Sequence, residues 1–486
     1  MVNSTAKIST IVERAATIKA DDIPHKAMLK AVDLFVDTVG CIFSGSTAEG
    51  VDELKRTILY WCTSPQSTIL VSGEKTSAPY AALINSVMGH ARDFDDAHDL
   101  AANHGSVVMV PALLATAEAC SRSNTTDSKN LFCSGQRSGK ELIAALAVGL
   151  EVTNRLAMAF APYLHPGWLP TTLWGPFGAS AACGRLLSLD TKQMHHAFGL
   201  AYSQIHGNRQ ALIDGSLAKR IQPGFSAMAG LQSAFLAASG ITAAKNIISG
   251  HFGIPVLYTA GNIDAEYMNT GLGKFEETMN ISIKPYPSCR CTHAVADAVL
   301  DIQKQHTISW EDIERGVIYL PPTSMAQIGH PFAIRNNPTV DAQFSAQYVA
   351  ALTFIHGKPR IDDFETQKVI SRQDVIQLAC RFTPVEFEKE TVEIGLAEMD
   401  IFLNNGQVIH TRIENVKGSP ANPLLPEEQE LKFLDCLDNS GRQYSLEEKK
   451  QLLNTTRNIT AFADITEFID SIQKYADKPI AVKGQG

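Results

Sequence analysis

The stretch Gly89–Ser106, GHARDFDDAHDLAANHGS, decides how the rest of the chain can be arranged. On both sides of it the sequence is apolar and predicts buried helices, at Ala78–Met88 and Val107–Ala119. Burying an unpaired charge is costly, so titratable groups between two such helices need a structural reason. The stretch is therefore either a solvated turn or the wall of a polar cavity. Its titratable residues are His90, Asp93, Asp95, Asp96, His98, Asp99 and His104.

Working outward from this stretch, helical patterns dominate the chain up to about residue 270. A helix start is predicted at Asp21–Pro24, and Gly45 is the expected end of that helix. Small residues at Gly178–Gly184 and Ala227–Gly230 predict helices that pack closely. The other predicted helices in this part are Val51–Trp61, Pro79–Val87, Val107–Ala119, Lys140–Met158, Thr172–Leu187, Thr191–Gln204 and Ser216–Ser239, and a polar loop is expected at Ser121–Ser138.

Near Glu276 the pattern changes to mixed strands and helices. Asn404-Asn405-Gly406 predicts a hairpin with a tight primed turn, because Asn-Gly supplies positive φ angles. After the proline-rich link Gly418–Pro423 the helical pattern returns. The predicted elements are strands at Thr278–Ile283, Gly316–Leu320, Ala397–Leu403 and Gln407–Ile413, and helices at Ala294–Gln303, Gln343–Ile355, Glu427–Leu437, Leu446–Asn454 and Ile465–Ile472.

These patterns predict a mainly α fold, with a large all-helical domain and a smaller α/β domain. The helical domain is expected over residues 1–272 and the α/β domain over residues 273–417. Residues 418–486 are expected to form C-terminal helices that complete the helical domain. A chain of 486 residues is long enough for two or three such units.

Composition narrows the class of function and the cellular location. A net charge of −9 without a basic stripe argues against nucleic acid as a partner. No apolar run reaches the ~18 residues of a membrane span, and no signal-peptide plan is present. A cytoplasmic location is expected, although Lys7, Arg14 and Lys19 leave a mitochondrial presequence open. The nine cysteines contain no CxxC pair, and Cys41 and Cys183 lie in apolar surroundings typical of reduced thiols.

The acidic and histidine-rich stretch has two chemical interpretations besides a solvated turn. As a metal site it offers oxygen and nitrogen ligands, but its histidines lack the i, i+4 spacing of a zincin helix. As an acid–base site it places carboxylates near histidines under helix ends, where pKa values move toward neutrality.

Two further segments concentrate cations where a ligand would meet them. Lys219 and Arg220 open a long helix, although a helix N-terminus favours acids, which suggests that they serve an anionic ligand. Lys284, Arg290 and His293 lie between a predicted strand and its helix, in a loop that prolines fix. Ordinary solvated cations remain the alternative at both places.

Taken together, three motifs resemble the MmgE/PrpD family, which includes 2-methylcitrate dehydratases, cis-aconitate decarboxylases and iminodisuccinate epimerase. The resemblance covers nearly the whole chain, including the predicted helix at Ala31–Gly45. It implies a large helical domain with a smaller α/β lid, a homodimer, and no metal, nucleotide or iron–sulfur cofactor. The three motifs are HARDFDDAHD (90–99) with the later His104, AKRIQPGFSAMAG (218–230) and IKPYPSCRCTHAVADA (283–298).

Carried over by position, the resemblance implies a cleft that binds a small polycarboxylate. Lys219 and Lys284 would bind carboxylates and stabilise developing negative charge, one from each domain. His104 or Asp93 would transfer the proton. The resemblance also implies substrate-binding neighbours, namely His98, Arg220, Arg290 and His293.

One departure from the family pattern bears on the substrate. Decarboxylases of the family carry a histidine in a Gly-aromatic-His element before the helix at Thr172, and here Gly167-Trp168 is followed by Leu169. A threonine found in some decarboxylases corresponds to Ala97. Both changes make the pocket less polar, which puts cis-aconitate itself in doubt and leaves room for an apolar substituent near Leu169.

The first functional hypothesis is therefore a cofactor-independent hydro-lyase that dehydrates 2-methylcitrate or a related alkylcitrate by proton abstraction next to a carboxylate. The alternatives are a cis-aconitate-type decarboxylase, an iminodisuccinate-type epimerase, and a non-catalytic carboxylate-binding protein. The first three share carboxylate binding and proton transfer at carbon, so the motifs do not separate them.

Overall fold

The fold is mainly helical, with small sheets, as the sequence predicts. The computed structural model describes residues 7–122, 135–387, 394–475 and 478. Most of the polar loop expected at Ser121–Ser138, with Cys133, lies outside these residues. The eight cysteines that are described are free thiols.

The N-terminal part of the chain forms the bulk of the helical domain. Its helices are α1 (Ile8–Thr17), α2 (His25–Gly45), α3 (Val51–Trp61), α4 (Ala78–His90), α5 (Ser106–Ser121), α6 (Gly139–Phe160), α7 (Pro170–Leu186), α8 (Thr191–Tyr202), α9 (Gln210–Ile213), α10 (Ala218–Ala238), α11 (Ile254–Tyr258), α12 (Ala265–Asn269) and α13 (Glu276–Met279). Two short antiparallel strand pairs accompany them, β1 (Ser67–Thr68) with β2 (Lys75–Thr76), and β3 (Ala97–His98) with β4 (Ile281–Ser282).

The helices predicted between Asp21 and Ser239 are confirmed, and the small residues do bring helices together. Gly230 of α10 lies so close to α7 that an added Cβ would sit 2.3 Å from the Cβ of Ala179. A residue with a side chain does not fit there without moving a helix. Close packing of α4, α5, α7 and α10 therefore forms the scaffold on which the stretch 89–106 is held.

A second set of elements forms the α/β domain. Its sheet has the order β6-β5-β7-β8, in which β5 and β6 are parallel and the other neighbours antiparallel. Side chains of β7 alternate between buried and half-buried, and α14 packs on β7 and β8. The elements are α14 (His293–Gln305), β5 (Ile313–Leu320), α15 (Pro322–Ile328), α16 (Pro338–Gln343), α17 (Ala346–His356), α18 (Thr366–Ser371), α19 (Gln373–Ala379), β6 (Phe382–Glu386), β7 (Ala397–Leu403) and β8 (Val408–Ile413).

Two hydrophobic cores show how the chain divides. One core contains buried residues from Ile8 to Ile283, together with residues from Leu424 onward in the C-terminal helices. The other core contains buried residues from Tyr286 to Val416. The boundaries expected after residues 272 and 417 stay predictions, and the cores separate near both. The C-terminal helices are α20 (Pro426–Asp438), α21 (Leu446–Arg457) and α22 (Ile465–Gln473).

The strand predicted at Thr278–Ile283 is wrong over its first half. Glu276–Met279 forms helix α13, because the backbone N–H groups of Glu277 and Thr278 donate to Oε2 of Glu151 at 3.1 and 3.3 Å. Only Ile281–Ser282 is strand. A buried carboxylate distant in sequence thus caps the helix start and overrides the local alternation.

Two smaller predictions also change. The helix predicted at Gln343–Ile355 begins three residues later, at Ala346, because the Ser345 side chain caps it by accepting from the N–H of Tyr348. In the hairpin only Gly406 has a positive φ, of 84°. The turn is a three-residue loop rather than a primed two-residue turn, since Asn404 donates instead to the carbonyl of Asp312.

One described helix meets the length and composition of a membrane span, which the sequence reading did not find. It covers Gly139–Tyr163, and 94% of its apolar window is buried within the protein. Its neighbours include α7 and α5. The segment is a core helix of the helical domain.

Helix α20, in the C-terminal part of the chain, supplies a buried cation to the acidic stretch. The Nζ atom of Lys432 on α20 lies 2.5 Å from Oδ1 of Asp37 on α2, and it donates to the carbonyl of Phe94 at 2.7 Å. It also lies 4.1 Å from the centre of the Phe94 ring. Burial by itself lowers the pKa of Lys432, but the Asp37 carboxylate raises it. The last part of the chain therefore holds the middle of the stretch in place.

We expect Lys432→Ala to lower the free energy of unfolding by about 3–5 kcal/mol, because it leaves the Asp37 carboxylate buried without its partner. Urea unfolding followed by circular dichroism measures this. Lys368→Ala removes an exposed cation paired with Asp362 and should cost at most about 1 kcal/mol. The double variant Asp37→Asn/Lys432→Met should regain part of the loss. Equal effects of the two lysine variants would contradict the assigned role of Lys432.

Candidate active site

A polar cavity lies where the helical domain meets the α/β domain. Its volume is about 80 Å³. The helical domain contributes Asp93, Ala97, His98, Asp99, Ala102, His104, Leu169, Arg209, Leu212 and Lys219 to its walls. The facing side is formed by Lys284, Cys289, Arg290, Cys291, Gln327, Phe344 and Ile394. The stretch Gly89–Ser106 is therefore a cavity wall and not a solvated turn.

A larger surface groove lies elsewhere, with a volume of about 670 Å³ between α4, α5 and α10. Arg122 is the one charged side chain among the residues that line it. The small cavity, and not this groove, contains the titratable groups that chemistry requires.

The acidic stretch is fixed in place by contacts from several elements. Asp93, three residues after the end of α4, has a left-handed backbone, φ 52°, which is uncommon for a residue other than glycine. The carbonyl of Arg92 accepts a hydrogen bond from Nε2 of Gln343 at 2.9 Å. The guanidinium of Arg92 pairs with Glu365 of the α/β domain at 2.9 Å. Backbone strain held by such contacts is common at functional sites.

Asp93 binds both lysines that the resemblance implied. The Nζ atom of Lys219 lies 2.7 Å from Oδ1 of Asp93. The Nζ atom of Lys284 lies 3.4 Å from the same oxygen and donates to the Asp93 carbonyl at 2.9 Å. Burial alone raises the pKa of Asp93, but the two ammonium groups hold it well below the usual range. Asp93 is therefore ionised at neutral pH.

Lys284 and Lys219 differ in their access to the cavity. Lys284 borders it but has no exposed side-chain surface, whereas Lys219 keeps 12% of its side chain exposed. Burial alone lowers the pKa of Lys284, and the charge of Asp93 raises it. In this conformation Lys284 acts on Asp93, and its direct contact with a substrate stays a prediction.

His104 is oriented by a carboxylate that it shares with a second histidine. Nδ1 of His104 lies 3.1 Å from Oδ2 of Asp95 and 2.8 Å from the carbonyl of Asp96. Nδ1 of His90 lies 2.9 Å from the same Asp95 oxygen. Contacts with the histidines hold the pKa of Asp95 well below its usual value against the effect of burial. Since an ionised carboxylate only accepts hydrogen bonds, both Nδ1 atoms carry protons.

This arrangement leaves Nε2 of His104 as the nitrogen that exchanges a proton. His104 borders the cavity with 19% of its side chain exposed, whereas His90 is buried. Burial lowers the pKa of His90 to about 4, so that its ring is neutral at pH 7. His104, and not His90, is positioned for proton transfer.

The ligand-type atoms of His90, Asp95 and His104 lie within 4.8 Å of one another, close enough to hold a metal ion. Their separations also match hydrogen bonds in a His–Asp–His network. The expectation of a metal-free site stays a prediction.

Arg290 and His98 border the cavity but are engaged by neighbouring carboxylates. Arg290 donates to both Asp99 oxygens, at 2.9 and 3.0 Å. Nδ1 of His98 accepts from the N–H of Ala101, so Nε2 donates to Glu277 at 2.9 Å. Both pairs tie the acidic stretch to the chain around β4, which is a structural role.

Two expected neighbours of the substrate, Arg220 and His293, lie away from the cavity lining. The guanidinium of Arg220 turns toward α3 and donates to the carbonyl of Glu49 at 3.1 Å. His293 is fully buried and packs on Tyr286 with its ring centre 5.1 Å away. Burial, Arg290 and Lys284 keep the pKa of His293 well below its ordinary value. This placement corrects the expectation that these two side chains face the cleft.

Leu169 borders the cavity, as the departure from the family pattern implied. It precedes α7, and its carbonyl accepts a hydrogen bond from Thr172 at 2.8 Å. Other apolar side chains line the cavity as well, namely Leu212, Phe344 and Ile394. The cavity therefore combines a charged wall with an apolar one.

Arg209 also borders the cavity, although no motif predicted it. Asn208-Arg209-Gln210 is a polar run shortly before the Lys219 motif, and this closeness in sequence was the available signal. It gave no direction for the side chain. Phe344 was missed as well, because it falls where a continuous helix was predicted.

Asp96 is a carboxyl group of the stretch whose pKa is raised into the neutral range. Burial, and then the charges of Asp95 and Asp37, raise its pKa to about 7. Its Oδ1 atom has no hydrogen-bond partner among the described residues. The folded protein thus holds this proton more tightly than the unfolded chain does, and stability falls as pH rises from about 4 to 7.

We expect Asp96→Asn to remove this pH dependence. The melting temperature of the variant minus that of the natural protein should become more positive between pH 5 and pH 8. Asp214→Asn, at an exposed position, is the control and should show a constant difference. Thermal unfolding across this pH range measures both, and a constant difference for Asp96→Asn would contradict the raised pKa.

The chain is similar along nearly its whole length to known decarboxylases. It is 25% identical over 483 residues to the cis-aconitate decarboxylase of Aspergillus terreus, covering 96% of each chain. It is 26% identical over 468 residues to the cis-aconitate decarboxylase-like protein oryM of Aspergillus oryzae, covering 93% of this chain and 94% of that one. The human cis-aconitate decarboxylase is 24% identical over 473 residues, covering 94% and 93%. Decarboxylases are lyases, so these relatives support a lyase-type enzyme.

The family model of the MmgE/PrpD N-terminal domain matches residues 9–265, and that of the C-terminal domain matches residues 286–457. Together they account for most of the chain. The C-terminal match begins at residue 286, where the second hydrophobic core also begins. The resemblance drawn from the three motifs is confirmed, and the chain belongs to the MmgE/PrpD family.

Proposed function

We propose that the protein is a lyase that decarboxylates an unsaturated tricarboxylate of the cis-aconitate class. One observation carries this proposal: His104 presents a single exchangeable nitrogen to a cavity that has cations on one wall and apolar side chains on another. The relatives named as cis-aconitate decarboxylases support it over dehydration of 2-methylcitrate, which the motifs alone placed first.

The proposed reaction needs one proton and releases one carbon dioxide. The bond between the leaving carboxylate and its methylene carbon breaks, and the electron pair forms a new double bond to that carbon. The original double bond shifts its electrons to its far carbon, which takes a proton from Nε2 of His104. A trianion and a proton thus give a dianion and carbon dioxide.

The contacts of His104 suit the role of a general acid. Asp95 holds the ring by Nδ1 and stays ionised, so that it stabilises the imidazolium form before the proton is given away. Asp93 is a poorer donor, because the two lysines keep it deprotonated. We therefore assign proton transfer to His104, and to Asp93 the positioning of Lys219.

The polar and apolar walls of the cavity have different roles in the proposed reaction. Lys219 retains exposed surface and stabilises the carboxylates that stay on the product. Leu169 and Phe344 offer the leaving carboxylate a site with few hydrogen bonds. A carboxylate is poorly stabilised there, whereas neutral carbon dioxide is not penalised.

The apolar wall also favours a second candidate, the dehydration of an alkylcitrate. Leu169 and Ala97 both border the cavity and would accommodate an alkyl group on the substrate. Dehydration requires removal of a proton from carbon and protonation of the departing hydroxyl. His104 would have to serve both steps, so the arrangement suits decarboxylation better.

We expect the purified protein to release carbon dioxide from cis-aconitate or from an alkyl-substituted analogue, with the product double bond visible by proton NMR. Each is tested beside 2-methylcitrate under the same conditions. A new conjugated alkene from 2-methylcitrate, with no carbon dioxide from any unsaturated acid, would overturn decarboxylation in favour of dehydration. Inactivity toward all of these acids would reject both.

We expect His104→Gln to lower kcat by roughly 100-fold or more, the usual contribution of a general acid. KM should change little, because the cations that bind the substrate remain. His165→Gln is the matched control, since that histidine is exposed on a neighbouring loop. Steady-state kinetics with the best substrate measure both variants, and equal activity of the two would contradict the assignment of His104.

A further inference from the structure

We propose that Arg209 is a specificity-determining residue that binds one carboxylate of the substrate and so selects tricarboxylates over dicarboxylates. This inference rests on the proposed function, because it assumes that the cavity takes a polycarboxylate. It adds a binding group that neither the three motifs nor the family resemblance pointed to.

Arg209 differs from the other cations around the cavity in having no anionic partner among the described residues. Lys219 and Lys284 pair with Asp93, and Arg290 pairs with Asp99. Within the described part of the chain, the guanidinium of Arg209 makes no side-chain hydrogen bond or ion pair. Cys289 and Cys291 line the same cavity, and their thiols are close enough to act on the pKa of Arg209.

An unpaired cation in this position is costly for the empty protein. The side chain of Arg209 is half-buried, and this partial removal from water lowers its pKa. Such a group is usually neutralised by a partner, and none of the described carboxylates provides this. A carboxylate brought by a ligand would offset the cost.

The backbone on either side of Arg209 is held rigidly in place. Asn208 is clamped to α10 by two hydrogen bonds with the Gln222 amide, both 3.1 Å long. Gly207 has a φ of 90°, and an added Cβ would lie 2.1 Å from the Thr172 hydroxyl. The N–H of Arg209 donates to the carbonyl of Gly167 at 2.9 Å. A side chain presented from a fixed backbone loses less entropy when it binds a ligand.

The chemistry of the side chain identifies the ligand group. A guanidinium presents paired N–H donors that match the two oxygens of a carboxylate. It lies at the thiol corner of the cavity, whereas the ammonium of Lys219 lies against Asp93. A substrate with only one carboxylate away from its reacting group can pair with either Arg209 or Lys219. A tricarboxylate has enough carboxylates to pair with both. We therefore expect Arg209 to favour binding of the larger anion.

The test measures binding and not turnover. Isothermal titration calorimetry compares tricarballylate with glutarate and methylsuccinate, each of which lacks one of its carboxylates. We expect Arg209→Gln to weaken tricarballylate binding by about 10- to 100-fold, as for lost hydrogen bonds to a charged group. The same substitution should weaken the binding of at least one of the two dicarboxylates much less. Arg209→Lys keeps the charge but not the paired donors, so its affinity for tricarballylate should lie between those of the natural protein and Arg209→Gln.

Two controls make the outcome decisive. Lys192→Gln removes an exposed cation that does not line the cavity and should change no affinity. Thermal unfolding checks that the Arg209 variants are folded. Equal losses for all three acids, or no loss, would overturn the role of Arg209 while leaving the proposed function standing. Failure of the natural protein to bind any of the acids would overturn the proposed function as well.

Discussion

The contact between the Asp93 carboxylate and two lysine ammonium groups is the interaction on which the site depends. It joins the end of α4 to Lys219 of α10 and to Lys284 beyond β4. Two cations so close together repel each other, and Asp93 between them removes much of that cost. The left-handed backbone at Asp93 is the strain that places its carboxylate there. The packing of the two domains and the charge balance in the cavity therefore depend on the same contact.

The sequence predicts the helical domain well because its signals are local. Apolar periodicity and small-residue runs predict α2 to α8 and α10 with little help from distant residues. The position of Lys219 was also readable, because a cation at a helix N-terminus conflicts with the helix dipole. The structure explains that conflict through Asp93 and also shows that its neighbour Arg220 turns away.

What could not be read from the sequence depends on partners far along the chain. Helix α13 exists because Glu151, more than a hundred residues earlier, caps it. The turn at Gly406 is widened by a hydrogen bond to Asp312. Arg209 carries no motif, and its importance comes from the absence of a carboxylate near it among the described residues. Such an absence is a property of three-dimensional surroundings, which residue spacing does not encode.

The return of the chain to the helical domain at Leu424 has a consequence for biosynthesis. Lys432 follows Phe94, whose carbonyl it binds, by 338 residues. At translation rates of about 5–20 residues per second, roughly 20–70 s separate the appearance of these two partners on the ribosome. During that interval the face of α2 that packs against α20 has no cover, and Asp37 has no cation. The nascent helical domain thus spends most of its synthesis with an open apolar flank, a period in which chaperones and aggregation compete for the same surface.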